Sequence, residues 1–180
     1  MTSFERELEA ILVNIFGPEI WDDSVERTAQ RVLSYWAEYA GRNDRDFKVT
    51  TFKTASIDQL IMVQDIEFSS LCVHHLLPII GSAQIGYIPG SVMIGLSKIP
   101  RIVDFFAHRP QVQERLTADI AAFLQDTLNP VGVGVVINAV HTCMVCRGVR
   151  KHNGKMITSD LRGVLRYEGS ARAEFLHLLT

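Results

Sequence analysis

The sequence has no disulfide framework, no dominant charge and no bilayer-length apolar run, and each absence closes off a class of protein. Its cysteines number three, an odd count, and two of them stand in Cys143-Met-Val-Cys146. That usage fits a reducing cytoplasm better than a secreted, disulfide-bonded setting. Lys and Arg total 18 against 20 Asp and Glu, a net charge of -2, so nucleic acid is not the expected partner. The longest apolar stretch, Leu76 to Ile88, is broken by Pro78, Gly81 and Gly86, and no run reaches the length that crosses a bilayer. The opening Met1-Thr-Ser-Phe-Glu-Arg-Glu-Leu8 lacks a basic start and an apolar centre, so it reads as a helix rather than a secretion signal. A soluble, cytoplasmic protein with no membrane partner is expected. Repeats, linkers and low-complexity segments are also lacking. With 180 residues, 47% hydrophobic and 21% charged, one domain that buries its own core without staples is the simplest organisation.

What is present is a clear alternation of textures. Phe4, Leu8, Ile11, Leu12 and Ile15 recur at helical spacing until Gly17-Pro18 halts them. Asp22, Asp23 and Ser24 offer capping oxygens to a second helix, with Val25, Val32, Trp36 and Tyr39 on one face, Gly41 at its end and a polar turn at Asn43 to Asp46. β-Branched and aromatic runs then predict strands at Lys48 to Lys53, Ile61 to Val63 and Ser82 to Ile88. Ser97 is placed to cap a helix striped by Ile99, Ile102, Val103 and Phe106, with Pro100 tolerated in its first turn. After His108-Arg-Pro110 another helix carries Val112, Leu116, Ile120 and Leu124 up to Asn129-Pro130. Val131 to Val140 is an unbroken apolar strand that delivers His141 and Cys143, which alternation puts on one side. A further strand region at Met156 to Tyr167 and a short amphipathic helix at Ala171 to Leu179 close the chain. This order predicts an α+β fold, an antiparallel sheet with helices packed on one face, divided into an N-terminal helical segment over 1–42 and a core over 47–180.

The chemistry is concentrated in two short windows. Cys72-Val-His-His75 and His141-Thr-Cys143 hold two of the three cysteines and three of the six histidines, and Cys146 follows closely. If Cys72, His75 and Cys143 hold a zinc ion, three ligands leave a fourth position for water, and His74 and His141 remain as imidazoles suited to proton transfer near neutral pH. Two other readings use the same residues. Cys146 could close a four-ligand structural zinc site, or pair with Cys143 in redox chemistry, although such pairs normally open a helix after a strand and this one follows an apolar, β-branched run.

Cys72-Val-His-His75, Gly95-Leu-Ser-Lys-Ile99, Arg101-Ile-Val103, Arg109-Pro-Gln-Val-Gln-Glu-Arg-Leu-Thr117 and Ala139-Val-His-Thr-Cys143 followed by Arg147-Gly148 resemble, in that order, the GTP cyclohydrolase I family. The resemblance runs from about Thr28 to the C-terminus. It implies a T-fold, in which antiparallel sheets of neighbouring subunits join into a barrel, pentamers pair into a homodecamer and active sites lie where subunits meet. It implies Zn2+ on Cys72, His75 and Cys143, with His74 and His141 as catalytic histidines. GTP would be hydrolysed at C8 with loss of formate and rearranged to 7,8-dihydroneopterin triphosphate, a pterin that can feed folate, biopterin or deazapurine synthesis. Glu114 would anchor guanine, Gln113 would help seat the base, Ser97 would contact ribose or phosphates, and Lys98, Arg101, Arg147 and Arg31 would hold the triphosphate.

Simple chemistry agrees with these roles. A carboxylate accepts the adjacent N1–H and N2–H of guanine at once. Lys98 and Arg101 lie three apart near a helix N-terminus, where anions are favoured. Zinc would bring the pKa of its water towards neutrality for attack at C8, His141 would protonate the ring nitrogen and His74 would assist as the ring opens. Three departures stand out: Val73 where many members have Glu, Thr28-Ala-Gln-Arg31 where the family often reads Thr-Pro-x-Arg, and Ser34 where some members carry Lys. They point to altered rate or substrate choice rather than loss of function. The rival readings are a GTP- or dGTP-binding relative with weak turnover, a zinc-free T-fold nitrile reductase, and a structural zinc protein. The paired histidines and distant Cys143 count against the second.

Overall fold

The computed structural model describes residues 2–20, 27–40, 49–54 and 57–179, in two compact units, Met1–Gly41 and Arg42–Thr180. In the first, α1 (Ser3–Phe16) packs against α2 (Thr28–Glu38), with a 3₁₀ turn at Pro18–Ile20 between them in sequence. Thr2 caps α1 reciprocally: Glu5 N–H donates to its Oγ1 at 3.2 Å, and its own N–H donates to the Glu5 carboxylate at 2.6 Å. The helix stops at Gly17, as expected, where φ is +90°. Phe4, Ile11 and Ile15 of its apolar stripe are exposed. The expected cap at Asp22 to Ser24, along with Val25, Gly41 and the turn at Asn43 to Asp46, lies outside the described residues.

The second unit runs β1 (Thr51–Lys53), β2 (Ile61–Cys72), β3 (Pro78–Ile88), β4 (Val92–Ile94), α3 (Lys98–Ala107), β5 (Pro110–Gln111), α4 (Gln113–Leu128), β6 (Gly132–His141), α5 (Thr142–Val145), β7 (Met156–Gly163), α6 (Val164–Tyr167) and α7 (Gly169–His177). β1 and β4 form a small antiparallel pair, and the main sheet has the order β5-β2-β3-β6-β7. All its ladders are antiparallel except β5, which adds two residues parallel to the end of β2. The expected α+β class with an antiparallel sheet is therefore present, with one short parallel edge.

Pleat alternation sorts the side chains between two faces. Ile79, Ala83, Ile85, Tyr87, Val133, Val135, Ile137 and Ala139 meet Ile99, Ile102 and Val103 of α3 and Leu116, Ile120 and Leu124 of α4 in the main core. The other face also carries helices, which corrects the one-face expectation. Gly86 and Gly134 are cross-strand partners there, and the hollow they leave is filled by Phe175 of α7. A Cβ on either glycine would fall 2.8 Å from that ring. Leu165, Val136, Met62 and Leu161 complete the cluster. Phe175 is the one buried residue of α7, and Ala171 and Leu179, four residues to either side of it, pack against the same cluster, whereas Leu176 and Leu178 are exposed. The strand expected through Tyr167 ends instead at Gly163. There φ is +58° and a Cβ would collide with the Val131 carbonyl oxygen, so the chain turns into α6. Phe175→Ala should destabilise the protein by about 3–5 kcal/mol, the usual cost of emptying a buried aromatic site, read as a lower midpoint in chemical denaturation. Among the described residues no helix is long and apolar enough to cross a membrane.

Candidate metal centre and active site

β2 and β6 both run antiparallel to β3, so they finish at the same end of the sheet, two strand spacings or about 10 Å apart. Leu71 pairs with Pro78 and His141 with Ile79, which puts both strand ends beside the start of β3. After Cys72 the chain turns back through His74, His75 and Leu76, the last at φ +52°. Cys72 N–H donates to Leu77 O, and Leu76 N–H to Cys72 O, each at 2.8 Å. β6 ends at His141 and coils at once into α5, where Thr142 Oγ1 donates to Pro78 O at 2.7 Å. Cys143 is therefore delivered by a helical turn, and the strand alternation expected for His141 and Cys143 does not hold. The Cys143-Cys146 pair does open a helix after a strand, contrary to expectation. Cys143 nevertheless faces Cys72, while Cys146 is exposed.

The sulfurs of Cys72 and Cys143 are 3.8 Å apart, and Nδ1 of His75 is 3.6 Å from the Cys72 sulfur. Ligand atoms of the three residues all lie within 4.8 Å of one another. With Zn–S near 2.3 Å and Zn–N near 2.0–2.1 Å, tetrahedral angles give separations of about 3.8 Å between two sulfurs and about 3.6 Å between sulfur and nitrogen. The donors thus fit one zinc-sized ion, with His75 binding through Nδ1. Nδ1 of His74 lies 3.8 Å from the same sulfur but outside the convergent group. Burial pushes the Cys143 thiol up from its ordinary pKa, and the Cys72 sulfur adds to the rise while Arg147 opposes it. Two thiols this close resist becoming two thiolates unless a cation lies between them.

His141 sits beside this group. Its Nε2 is 2.8 Å from Oε1 of Gln113. Burial lowers its pKa, and Glu114 pulls in the opposite direction. Gln113 is fully buried, and its amide nitrogen faces Ile137 O, Met156 O and Thr158 Oγ1 at 3.1, 2.9 and 3.1 Å. Gln113, expected to help seat the base, has its side chain engaged by His141 and the sheet. Of the two threonines that support it, Thr158 lies in no motif and Thr117 closes the Arg109 to Thr117 block without a role of its own. The legible signal was polarity in an apolar setting, at Gln113 and Thr117 on the buried side of α4 with Leu116 and Ile120.

The remaining candidates divide by position. Glu114 is exposed in the first turn of α4, next to Gln113, and Arg147 reaches Nε2 of His75. The Val73 side chain is exposed while its N–H donates to Gln111 O at 3.0 Å. Ser97 stands at the N-terminus of α3 without a side-chain capping bond, and Lys98 and Arg101 lie in the first turn. That end of α3 is near Tyr87, whose hydroxyl accepts from Ile94 N–H, whereas the far end meets β2 where Ser70 Oγ donates to Ala107 O at 2.7 Å. A ten-residue helix, about 15 Å, separates Lys98 from the Cys72 end of the sheet. One chain does not bring Ser97, Lys98 and Arg101 to the metal donors. Arg31 is an exposed residue of α2, in the first unit.

An α+β sheet with a Cys-His-Cys group at one end and a supported histidine beside it defines a class: proteins whose donor set could hold a borderline metal next to a side chain suited to proton transfer. The chain belongs to the GTP cyclohydrolase I family, whose profile matches residues 4–180. Proteins similar to it include GTP cyclohydrolase 1 of Leptospira biflexa, 56% identical over 120 residues covering 67% of this chain and 66% of that protein. GTP cyclohydrolase 1 of a Sulfurihydrogenibium species is 46% identical over 158 residues, covering 87% of this chain and 83% of its own. That of Methylococcus capsulatus is 42% identical over 183 aligned positions, covering 99% and 98%. An archaeosine synthase QueF-like crystal structure in the apo form aligns with a TM-score of 0.49 and 16% identity over 58% of this chain and 93% of that one. The family membership expected from the motifs is thus borne out.

Proposed function

We propose that the protein is a zinc-dependent GTP cyclohydrolase I that opens GTP at C8, releases formate and forms 7,8-dihydroneopterin triphosphate in the cytoplasm. The observation that carries this is the spacing of Cys72 from Cys143 and from His75 at tetrahedral zinc distances, beside a half-buried His141 that Glu114 influences electrostatically. When bound, zinc supplies Lewis-acid polarisation and a water nucleophile near neutral pH. His141 gives and takes a proton at the purine ring, His74 on the exposed turn assists, and Glu114 accepts from guanine. With Nδ1 of His75 committed to the ion, its Nε2 carries the ring hydrogen. The Arg147 guanidinium beside it is then left without an acceptor there, and free for a phosphate. Ser97, Lys98, Arg101 and Arg31 would serve a site completed by another copy. The distance of Ser97, Lys98 and Arg101 from the donors along α3 supports this, as does exposed apolar surface at Phe4, Ile11, Ile80 and Ile157. The assembly is read as a T-fold barrel in a homodecamer of two pentamers.

The test is incubation of zinc-analysed protein with GTP and, separately, dGTP, followed by oxidation and detection of a fluorescent pterin. Formate and pterin in equal amounts from GTP are expected; tight GTP binding with no product would overturn the assignment. Glu114→Ala should raise the GTP KM about 10- to 100-fold, the weight of a charge-assisted hydrogen bond, with kcat and assembly little changed. An unaltered KM in steady-state kinetics would remove Glu114 from guanine recognition.

A further inference from the structure

The hydrogen bonds around Gln113 have a direction that can be read from end to end. Thr117 Oγ1 lies 2.8 Å from the Gln113 main-chain carbonyl, which can only accept, so the Thr117 hydroxyl hydrogen is spent there. The 2.6 Å contact between Thr117 and Thr158 must then be Thr158 donating to Thr117. Thr158 Oγ1 in turn accepts from the Gln113 side-chain nitrogen, 3.1 Å away. That nitrogen also faces the carbonyls of Ile137 and Met156, so its two hydrogens are shared among three acceptors on β6 and β7. Reversing the amide would set its oxygen against two carbonyl oxygens. Oε1 is thereby fixed towards His141 as an acceptor, and the partner at 2.8 Å, Nε2 of His141, must donate.

We propose that Gln113 is a positioning residue that holds His141 as its Nε2–H tautomer and so assigns the ring's proton exchange with substrate to Nδ1. The tautomer follows from the hydrogen-bond geometry alone, and its kinetic consequence rests on the function proposed above. A loose imidazole would spend part of its time with the wrong nitrogen presented. One held by a glutamine with no rotational choice does not. This is a different task from seating a base. It acts on the reacting proton, so its loss lowers kcat and spares KM.

Magic-angle-spinning NMR of the zinc-loaded protein carrying ¹⁵N-histidine reads the tautomer directly, with His141 identified by its disappearance in His141→Ala. One pyrrole-type Nε2 and one pyridine-type Nδ1 signal, unaveraged, are expected for His141. A neutral ring with its hydrogen on Nδ1 and a bare Nε2, or an averaged pair, would overturn the proposal. Gln113→Met, similar in volume but without hydrogen bonds, should average the two signals and lower kcat about 10- to 100-fold, with the GTP KM within about twofold of wild type. A raised KM with unchanged kcat would return Gln113 to base binding and end the proposal. Should that variant fail to fold, the wild-type spectrum decides alone. Thr158→Val, which removes one link of the chain, should then give a smaller kcat loss in the same direction. An absence of GTP turnover in the wild type would sink the functional assignment and leave the spectrum to judge this one.

Discussion

Cys143→Ser leaves a folded protein that no longer retains zinc and has no measurable turnover. A serine hydroxyl in place of the thiol stays protonated near neutral pH and is a poor match for a borderline cation, so two good donors remain, Cys72 and His75. Changes outside the direct ligands of such sites cost roughly 10- to 100-fold in affinity, and removal of a ligand exceeds that. The fold should survive, because Cys143 sits half-buried on a four-residue turn beyond the end of β6 and takes no part in a strand ladder. Metal analysis after dialysis and far-UV circular dichroism check the two halves. Cys146→Ser is the control, exposed and outside the donor group, and should keep its zinc. A Cys143→Ser protein that unfolds would favour a structural ion over a catalytic one. The raised Cys143 thiol fixes the sign of the pH effect: loading displaces thiol protons, so zinc affinity falls as pH falls, by about tenfold per pH unit for each proton released.

The candidate metal donors were legible in the sequence because their chemistry is rare and tightly spaced, and two strands ending at one sheet edge convert that spacing into contact. α1, α3, α4 and β6 were legible for a different reason: each is a long segment whose apolar period or apolar run is unbroken. β2 was seen only at Ile61 to Val63, although it extends to Cys72. The register shifts between Val63 and Ile66, where Asp65 takes φ +52°, and that bulge throws the alternation out of phase. The second helical face was hidden because it depends on Phe175 meeting Gly86 and Gly134, positions that no local window joins. β5 and α5 are too short to carry a period at all. Gln113 was visible as part of a motif, but its hydrogen-bond partners were not. Its real partners, Thr158 and the carbonyls of β6 and β7, are set by strand register rather than by sequence spacing.

His141→Ala keeps fold and zinc and loses turnover by about 10²- to 10⁴-fold, the range that removal of a general acid or base produces. Retention of zinc follows from the donor geometry, since His141 is not in the convergent group. Retention of fold follows from its position at the last residue of β6, where the pairing with Ile79 is made by the backbone. The substitution does strip Gln113 Oε1 of its partner, which costs about 1–3 kcal/mol if nothing replaces it, and the space of the lost ring admits a water that can. The GTP KM should hardly move, because the proposed function gives guanine recognition to Glu114. The pH profile of the wild type carries the same residue's signature. Burial holds the His141 imidazolium at a pKa below the ordinary histidine value and Glu114 partly restores it, so the proton His141 donates becomes scarce as pH rises through that lowered pKa. Glu114→Gln removes the restoring charge and should move this limb of kcat/KM towards acid. Single-turnover pterin fluorescence with excess enzyme measures the chemical step apart from binding. A His141→Ala protein that is zinc-loaded, folded and as fast as wild type in that assay would mean that the proton passes through another group, with His74 the next to be replaced.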